Sequence, residues 1–286
     1  MSTRFRWRDG LVRFGFLVPA FAFFAFAMII PFFMGIHVAF TDWNGIIPEY
    51  RFVGLDNFAK IFTNDDILIP MRNTLYYMVL SVVFSNSLAL LLAMAVNRSF
   101  AGKHVTKVIF FLPTVLSAVL VSFIWGFIYR EVFHTLFGIN SLLGSPDTVM
   151  PAIVGIDIWN SVGISMIIYL SALTGVPRDL YEAAEADGAT VWQKFANVTV
   201  PMIMPAITVN VTLAITYGLR VFTTPIIATN GGPVRASETI AIYIYRHLFD
   251  FKKAGYGQAI SMVFLIALVV IGWTVSRMLR SKEVEM

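Results

Sequence analysis

Long apolar stretches separated by clusters of charged residues dominate the chain. Apolar runs of about 20 residues or more occur six times. A helix needs roughly 20 apolar residues to cross a hydrocarbon layer about 30 Å thick. The pattern therefore predicts an all-α membrane protein with six transmembrane helices, at residues 14–40, 75–96, 108–129, 152–173, 202–222 and 259–278. The fifth run is the least apolar, so an error in the count would fall there.

Composition supports this class. The 286 residues are 58% hydrophobic and 13% charged, whereas roughly 25% of the residues in a soluble domain are charged. The first apolar run, at 27 residues, is much longer than the roughly 7 to 15 residues of a signal-peptide core. We therefore expect it to remain in the protein as a membrane helix.

The distribution of basic residues predicts the orientation, because cytoplasmic loops are enriched in Lys and Arg. With the N-terminus inside, the cytoplasmic segments carry twelve Lys and Arg, including Arg4, Arg6, Arg8 and Arg13, and the outer loops carry eight. Both termini are therefore predicted to be cytoplasmic. The net charge of +4 reflects this topology, and we expect no nucleic-acid partner.

The sequence shows no pattern of residues typical of a metal site or a catalytic site. It has no cysteine, and its four histidines are far apart in sequence. We expect no metal site, because no pair of histidines has helical ligand spacing. The glycine-rich Walker A sequence that holds nucleotide phosphates is absent. These observations predict that the chain is not an enzyme and does not hydrolyse ATP itself.

A polar segment between the fourth and fifth apolar runs is predicted to form a helical hairpin. Pro177 suits the first turn of a helix, and the acidic side chains of Asp179 and Glu182 complement the helix dipole there. Gly188 then ends the helix as a C-terminal cap. Thr190 and Gln193 have the spacing of a capping box, which predicts a second short helix ending near Asn197.

The same segment resembles the EAA loop of ATP-binding-cassette (ABC) importer permeases. Glu182-Ala183-Ala184, Gly188 after three residues, and Val198-x-Val200-Pro201 after nine more match that motif, with Val where Ile and Leu are commoner. Segments 52–58, 73–75, 229–233 and 255–259 extend the likeness to the carbohydrate-uptake branch. The chain looks like the compact six-span members, similar to glycerol-3-phosphate, arabinose or multiple-sugar permeases.

The resemblance implies a type I ABC importer (MetI-like) permease fold in a bacterial or archaeal inner membrane. It implies a second homologous permease, two cytoplasmic ATPase subunits and an extracytoplasmic solute-binding protein as partners. The substrate would be a sugar or related polyol. The chain itself would hold no cofactor, since ATP and Mg would bind to the partner subunits. The residues that the resemblance assigns to ATPase coupling are Glu182, Ala183, Ala184, Asp187, Gly188 and Pro201.

Polar residues inside predicted spans are candidates for the solute path, because polar groups facing lipid are costly. We single out Asp157, Trp159, Asn160, Asn210, Thr216, Tyr217 and Arg220. Bonds between helices are the alternative role for the Ser and Thr residues. Asp157 and Arg220 either neutralise each other or face a wet cavity, and Trp159 either stacks on a sugar ring or anchors the span at the membrane interface.

We expect one principal domain, because the sequence shows no long linker or strong repeat. Residues 1–73 would hold the N-terminus, the first helix and an outer loop. Residues 74–279 would form a five-helix core with the coupling loop at 177–201, and residues 280–286 a cytoplasmic tail. The alternative function is an ion-coupled secondary transporter or channel. Such a protein would need clusters of intramembrane acids, and Asp157 is the one acid available in the predicted spans.

Overall fold

The computed structural model describes residues 3–283, and the side chains among them except those of residues 3–11 and 13. The side chains of Arg4, Arg6, Arg8 and Arg13, on which the predicted orientation partly depends, lie outside the described residues. The described backbone is helical, with one isolated antiparallel bridge between Thr41 and Phe52. Contacts divide it into two units, one of Met1–Asn64 with Ile244–Phe264 and one of Asp65–Tyr243 with Leu265–Met286.

The first unit contains α1, α2 and α3 and the first part of α15. Its polar contacts fix the end of α2: the buried Asn57 amide donates to the carbonyls of Ala39 (2.9 Å) and Thr41 (2.8 Å). Gly255 lies so close to the Thr41 carbonyl that a side chain there would overlap it. The helices are α1 (Thr3–Phe24), α2 (Ile30–Ala39), α3 (Asp56–Thr63) and α15 (Ala254–Arg280), with a π-helical turn at Ala25–Ile29 between α1 and α2.

The second unit contains the helices on either side of the polar hairpin. Its elements are α4 (Leu68–Asn97), α5 (Lys103–Phe111), α6 (Ala118–Phe127), α7 (Phe133–Phe137), α8 (Val149–Gly175), α9 (Arg178–Ala186), α10 (Val191–Lys194), α11 (Val200–Met202), α12 (Met204–Leu219) and α13 (Thr223–Thr229). A short helix, α14 (Ile240–Tyr245), follows α13 and crosses the boundary between the units.

Helix α8 forms the centre of the second unit. It packs along α4 and also contacts α5, α6, α12 and α13. Just over half of its most apolar segment is buried. Buried side chains form one cluster near its first half, around Tyr77, Ile153 and Ile156, and another near its second half, around Ala93 and Met166. Asp157 is the one charged residue among the buried residues of α8.

The prediction of six spans is confirmed when a bent helix is counted as one span. Five described helices are long and apolar enough to cross a membrane. The helices Val191–Met202 and Met204–Leu219, which meet at a bend of 72°, are also long and apolar enough when they are counted together as one span. This bent pair replaces the predicted fifth span, at residues 202–222. The helix therefore starts eleven residues earlier than the apolar run and ends before Arg220.

The predicted third span, at residues 108–129, is wrong in its limits. Helix α5 ends at Phe111, a 3₁₀ turn covers Leu112–Val115, and a new helix starts after Ser117 and continues to Phe137. Pro113 has no N–H for a helical hydrogen bond. The Ser117 hydroxyl accepts a bond from the Leu120 N–H (3.3 Å) and caps the new helix.

Candidate functional site

The turn between α9 and α10 has the geometry that the sequence predicts. Gly188 is in the left-handed conformation (φ +73°), and its N–H donates to the Glu185 carbonyl (3.0 Å). The next N–H, of Ala189, donates to the Ala184 carbonyl (2.9 Å). Glycine adopts this conformation without steric cost. The predicted stop at Gly188 is confirmed, whereas Pro177 is the residue just before α9 and does not lie in its first turn.

The capping box is confirmed, but the second helix is longer than predicted. The Thr190 hydroxyl accepts from the Gln193 N–H (3.3 Å), and the Gln193 side chain accepts from the Thr190 N–H (2.7 Å). The helix does not end near Asn197. It continues through a π-helical turn at Phe195–Thr199 into α11, and the chain bends at Ile203. Helical bonds thus carry the hairpin directly into the fifth span.

Two side-chain contacts join α9 to the helix after it. Lys194 pairs with Glu185 at 2.5 Å, and the Tyr181 hydroxyl lies 3.0 Å from the Thr199 hydroxyl. Neither contact could be predicted from the sequence, because the partners are 9 and 18 residues apart and belong to different helices. We call residues 178–202 the coupling hairpin. These two contacts, together with the turn at Gly188, hold α9 against the helix that follows it.

The residues assigned to ATPase coupling lie mostly on the surface of this hairpin. Ala184 and Pro201 are half-buried, and the others are exposed. Small side chains let another backbone approach closely, and the exposed acids offer charge to a basic surface. The exposed members of the set are Glu182, Ala183, Asp187 and Gly188.

Asp157, on α8, is buried and bonded to two neighbouring helices. Its Oδ2 accepts from the Tyr77 hydroxyl of α4 (2.5 Å), and its Oδ1 accepts from the Thr224 hydroxyl of α13 (2.5 Å). The side chain is 5% exposed. Both carboxylate oxygens are therefore occupied by hydroxyl donors from the protein, as a buried acid requires.

Arg220 makes a different set of contacts. It lies where α12 ends, its Nε donates to the Thr216 carbonyl (3.3 Å), and its side chain is exposed. Within residues 3–283, its guanidinium makes no ion pair with Asp157. Of the two alternatives for this pair, mutual neutralisation is wrong in this structure. Thr216 itself bonds back to the Thr212 carbonyl (2.8 Å).

The two asparagines bond to backbone carbonyls. The Asn160 amide donates to the Pro113 carbonyl (2.7 Å), at the interruption of the third span. Asn210 is 2% exposed and donates to the Ser165 carbonyl of α8 (3.3 Å). Both side chains therefore join helices, and their role as solute contacts stays a prediction.

Aromatic residues supply the most accessible part of the predicted path. Tyr217 is 47% exposed and Trp159 is 37% exposed. The ring of Trp159 meets the ring of Trp125 edge to face at 5.7 Å. Together with Arg220, these two side chains are the exposed members of the seven candidates, whereas Asp157 and Asn210 are buried.

An ion-pair network that the sequence did not reveal fixes the segment after α13. Arg235 bonds the buried Glu238 (2.5 Å) and reaches Asp66 (3.4 Å). The Asn73 amide of α4 donates to the carbonyls of Arg235 (2.8 Å) and Glu238 (3.1 Å). Gly231, in the same segment, is in the left-handed conformation (φ +77°). Arg235 and Glu238 are three residues apart, but Asp66 and Asn73 lie 169 and 162 residues from Arg235, so no local signal indicates their part in the network.

Comparison with known proteins gives the family. Residues 85–280 match the model of the binding-protein-dependent transport system inner membrane component, and the chain belongs to this family. It is 30% identical over 285 residues to the probable starch degradation products transport system permease protein AmyD of Thermoanaerobacterium thermosulfurigenes, covering 98% of this chain and 97% of that protein.

Solved structures show the same fold. One is a bacterial ABC transporter involved in import of the acidic polysaccharide alginate, with TM-score 0.81, 25% identity and 96% of each chain covered. Another is the bacterial alginate ABC transporter in complex with an alginate pentasaccharide-bound periplasmic protein, with TM-score 0.79 and 25% identity over 96% of this chain and 95% of that one.

These findings confirm the predicted class. The chain is an all-helical permease subunit of an ABC importer and an inner membrane component. It belongs to a family of transport proteins and not of enzymes. The alternative of an ion-coupled secondary transporter or channel is therefore wrong.

Proposed function

We propose that this chain forms half of the path through which a saccharide enters the cell, driven by ATPase subunits that dock on the coupling hairpin. The named relative is a probable permease of a transport system for starch degradation products, and the solved structures belong to a transporter involved in alginate import. Both substrates are carbohydrates. They support a sugar or a related polyol as the solute of this chain.

One observation carries the coupling role. The hairpin is largely exposed, yet only Val176 and Pro177 separate it from the partly buried α8 on one side, and only the bend at Ile203 separates it from α12 on the other. Such an element converts a push at its tip into a movement of both helices. Rigid-body movement of this kind is what alternating access requires.

The solute path is proposed to run past Trp159, Tyr217 and Arg220. Sugar rings stack on aromatic side chains, and a guanidinium donates several hydrogen bonds in a fixed arrangement. Arg220 stands at the end of the fifth span, between α12 and α13.

The partners follow from this role. We propose a second homologous permease, which completes the path, two ATPase subunits, which hold ATP and Mg, and an extracytoplasmic binding protein, which delivers the solute. The chain itself would need no cofactor. Both termini would lie in the cytoplasm, on the same side as the hairpin.

Co-purification of the ATPase tests the proposal. Glu182→Lys and Gly188→Asp change charge or shape at the exposed tip, and we expect both to reduce the amount of ATPase recovered and the rate of uptake. Asn197→Asp adds an acid at another exposed hairpin position and serves as the control. Normal ATPase recovery and uptake with both tip variants would contradict the docking role.

A further inference from the structure

The interruption of the third span lies directly against α8. Between α5 and α6 the chain forms a 3₁₀ turn at Leu112–Val115 and an extended residue at Leu116 (φ −76°, ψ 141°). Within this segment the Pro113 carbonyl accepts one bond, from the Leu116 N–H (3.1 Å), and a carbonyl oxygen can accept a second. Helix α8 passes this point without a break.

A single side chain of α8 supplies a further donor to this segment. The Asn160 Nδ2 donates to the Pro113 carbonyl (2.7 Å) and to the Leu116 carbonyl (3.4 Å). In return, the Thr114 hydroxyl donates to the Asn160 carbonyl (2.9 Å). Three hydrogen bonds therefore connect one residue of α8 with the interruption.

Gly163 brings the two backbones into direct contact at a second point. It lies three residues after Asn160, and positions three apart share a helix face. A β-carbon at Gly163 would overlap the carbonyl oxygen of Phe110 and the α-carbon of Phe111. These are backbone atoms, so they cannot turn aside as a flexible side chain would. Gly175, on the same helix, has no other group within 4 Å of such a β-carbon.

We propose that Asn160 and Gly163 form a clasp that holds the interrupted third span to α8, so that α5 and α6 move with α8 during transport. In this account the geometry of the interruption does not change during transport. Asn160 is a positioning residue, whose amide nitrogen donates to backbone carbonyls instead of to the solute. Because α8 leads into the coupling hairpin through Val176 and Pro177, the clasp would extend the hairpin's movement to the third span. This consequence rests on the proposed function of the hairpin.

Two substitutions separate a positioning role from solute binding. Asn160→Asp keeps oxygen atoms that can accept from sugar hydroxyls but removes both N–H donors to the carbonyls. Gly163→Ala adds no polar group and forces the two backbones apart. Gly175→Ala is the matched control, because it makes the same chemical change on the same helix in open space.

Uptake and ATP hydrolysis are measured with the complete importer, the permease pair with its ATPase subunits and binding protein, in liposomes. We expect Asn160→Asp and Gly163→Ala each to lower the maximal uptake rate about tenfold, with KM changed less than about twofold. More ATP should be hydrolysed per solute moved. Gly175→Ala should match the unsubstituted protein in rate, KM and coupling.

Three results would overturn the clasp. A raised KM in Asn160→Asp, together with normal transport by Gly163→Ala, would identify Asn160 as a solute ligand. Normal transport by both variants would show that the contact is dispensable. Failure of both variants to assemble with their partner subunits would show a folding role alone. Absence of ATP-driven uptake by the unsubstituted importer would instead overturn the proposed function, on which the wider consequence depends.

Discussion

Tyr77 donates its phenolic hydrogen to Oδ2 of Asp157 over 2.5 Å, and both side chains are buried. The two residues are 80 positions apart and lie on α4 and α8. Leaving a buried hydrogen-bond acceptor without its donor is costly. This contact therefore ties the two central helices together.

We expect Tyr77→Phe to lower the stability of the purified protein by about 1–3 kcal/mol, the usual cost of leaving a buried hydrogen-bond acceptor without its donor. Tyr76→Phe removes a hydroxyl from the neighbouring ring, which is 47% exposed, and should have almost no effect. Thermal unfolding in detergent measures both. Equal decreases in unfolding temperature for the two variants would show that the Tyr77–Asp157 hydrogen bond does not stabilise the protein.

Gly218 makes a second contact with α4. A β-carbon there would lie 2.9 Å from the α-carbon of Met78. Gly218→Ala should therefore push α12 away from α4 and destabilise the protein by about 1–3 kcal/mol, as overpacking does. Gly126→Ala, where a β-carbon has open space, is the control in the same unfolding experiment. A Gly218→Ala protein as stable as this control would show that α12 does not approach α4 so closely.

The two arginines Arg220 and Arg235 should respond differently to the same change. Arg235 bonds the buried Glu238 and reaches Asp66, so Arg235→Gln should lower the unfolding temperature. Arg220 is exposed and makes no ion pair within the described residues, so Arg220→Gln should leave that temperature unchanged while raising KM for uptake. A lower unfolding temperature and a normal KM for Arg220→Gln would place Arg220 in a structural role.

The left-handed turn at Gly188 predicts an order of substitutions. Asn tolerates positive φ better than other side chains, and a β-branched residue there is costly. Gly188→Val should therefore speed hydrogen exchange across the hairpin amides much more than Gly188→Asn. The cost of a left-handed non-glycine residue is about 1–2 kcal/mol. Equal exchange in both variants would mean that the turn does not need this conformation.

Local signals made the hairpin readable from the sequence. Gly188, Thr190 and Gln193 act on their immediate neighbours, so residue type and spacing predicted the turn and the capping box. Pro113 and Ser117 gave a comparable signal for the interruption of the third span, but the apolar run around them concealed it. Their order, a proline followed by a capping serine before apolar residues, would have revealed the break.

Contacts between distant residues could not be read in this way. The bonds of Asp157 to Tyr77 and Thr224 depend on how α4, α8 and α13 pack. The sequence indicated that Asp157 and Arg220 lie at similar depth in neighbouring spans but did not show whether they pair. In the folded protein they do not pair, and the hydroxyl groups of Tyr77 and Thr224 bond to the two carboxylate oxygens of Asp157 instead. The division of residues 74–279 from the N-terminal part stays a prediction.

Cross-linking from the hairpin tip tests the central claim most directly. The chain has no cysteine, so Ala183→Cys introduces a unique thiol at an exposed position. With a short thiol-to-amine reagent, it should join the permease to the ATPase subunit, whereas Val105→Cys, which is 62% exposed on α5, should not. If Ala183→Cys reacts fully with a soluble maleimide but gives no cross-link to the ATPase, the coupling account is contradicted.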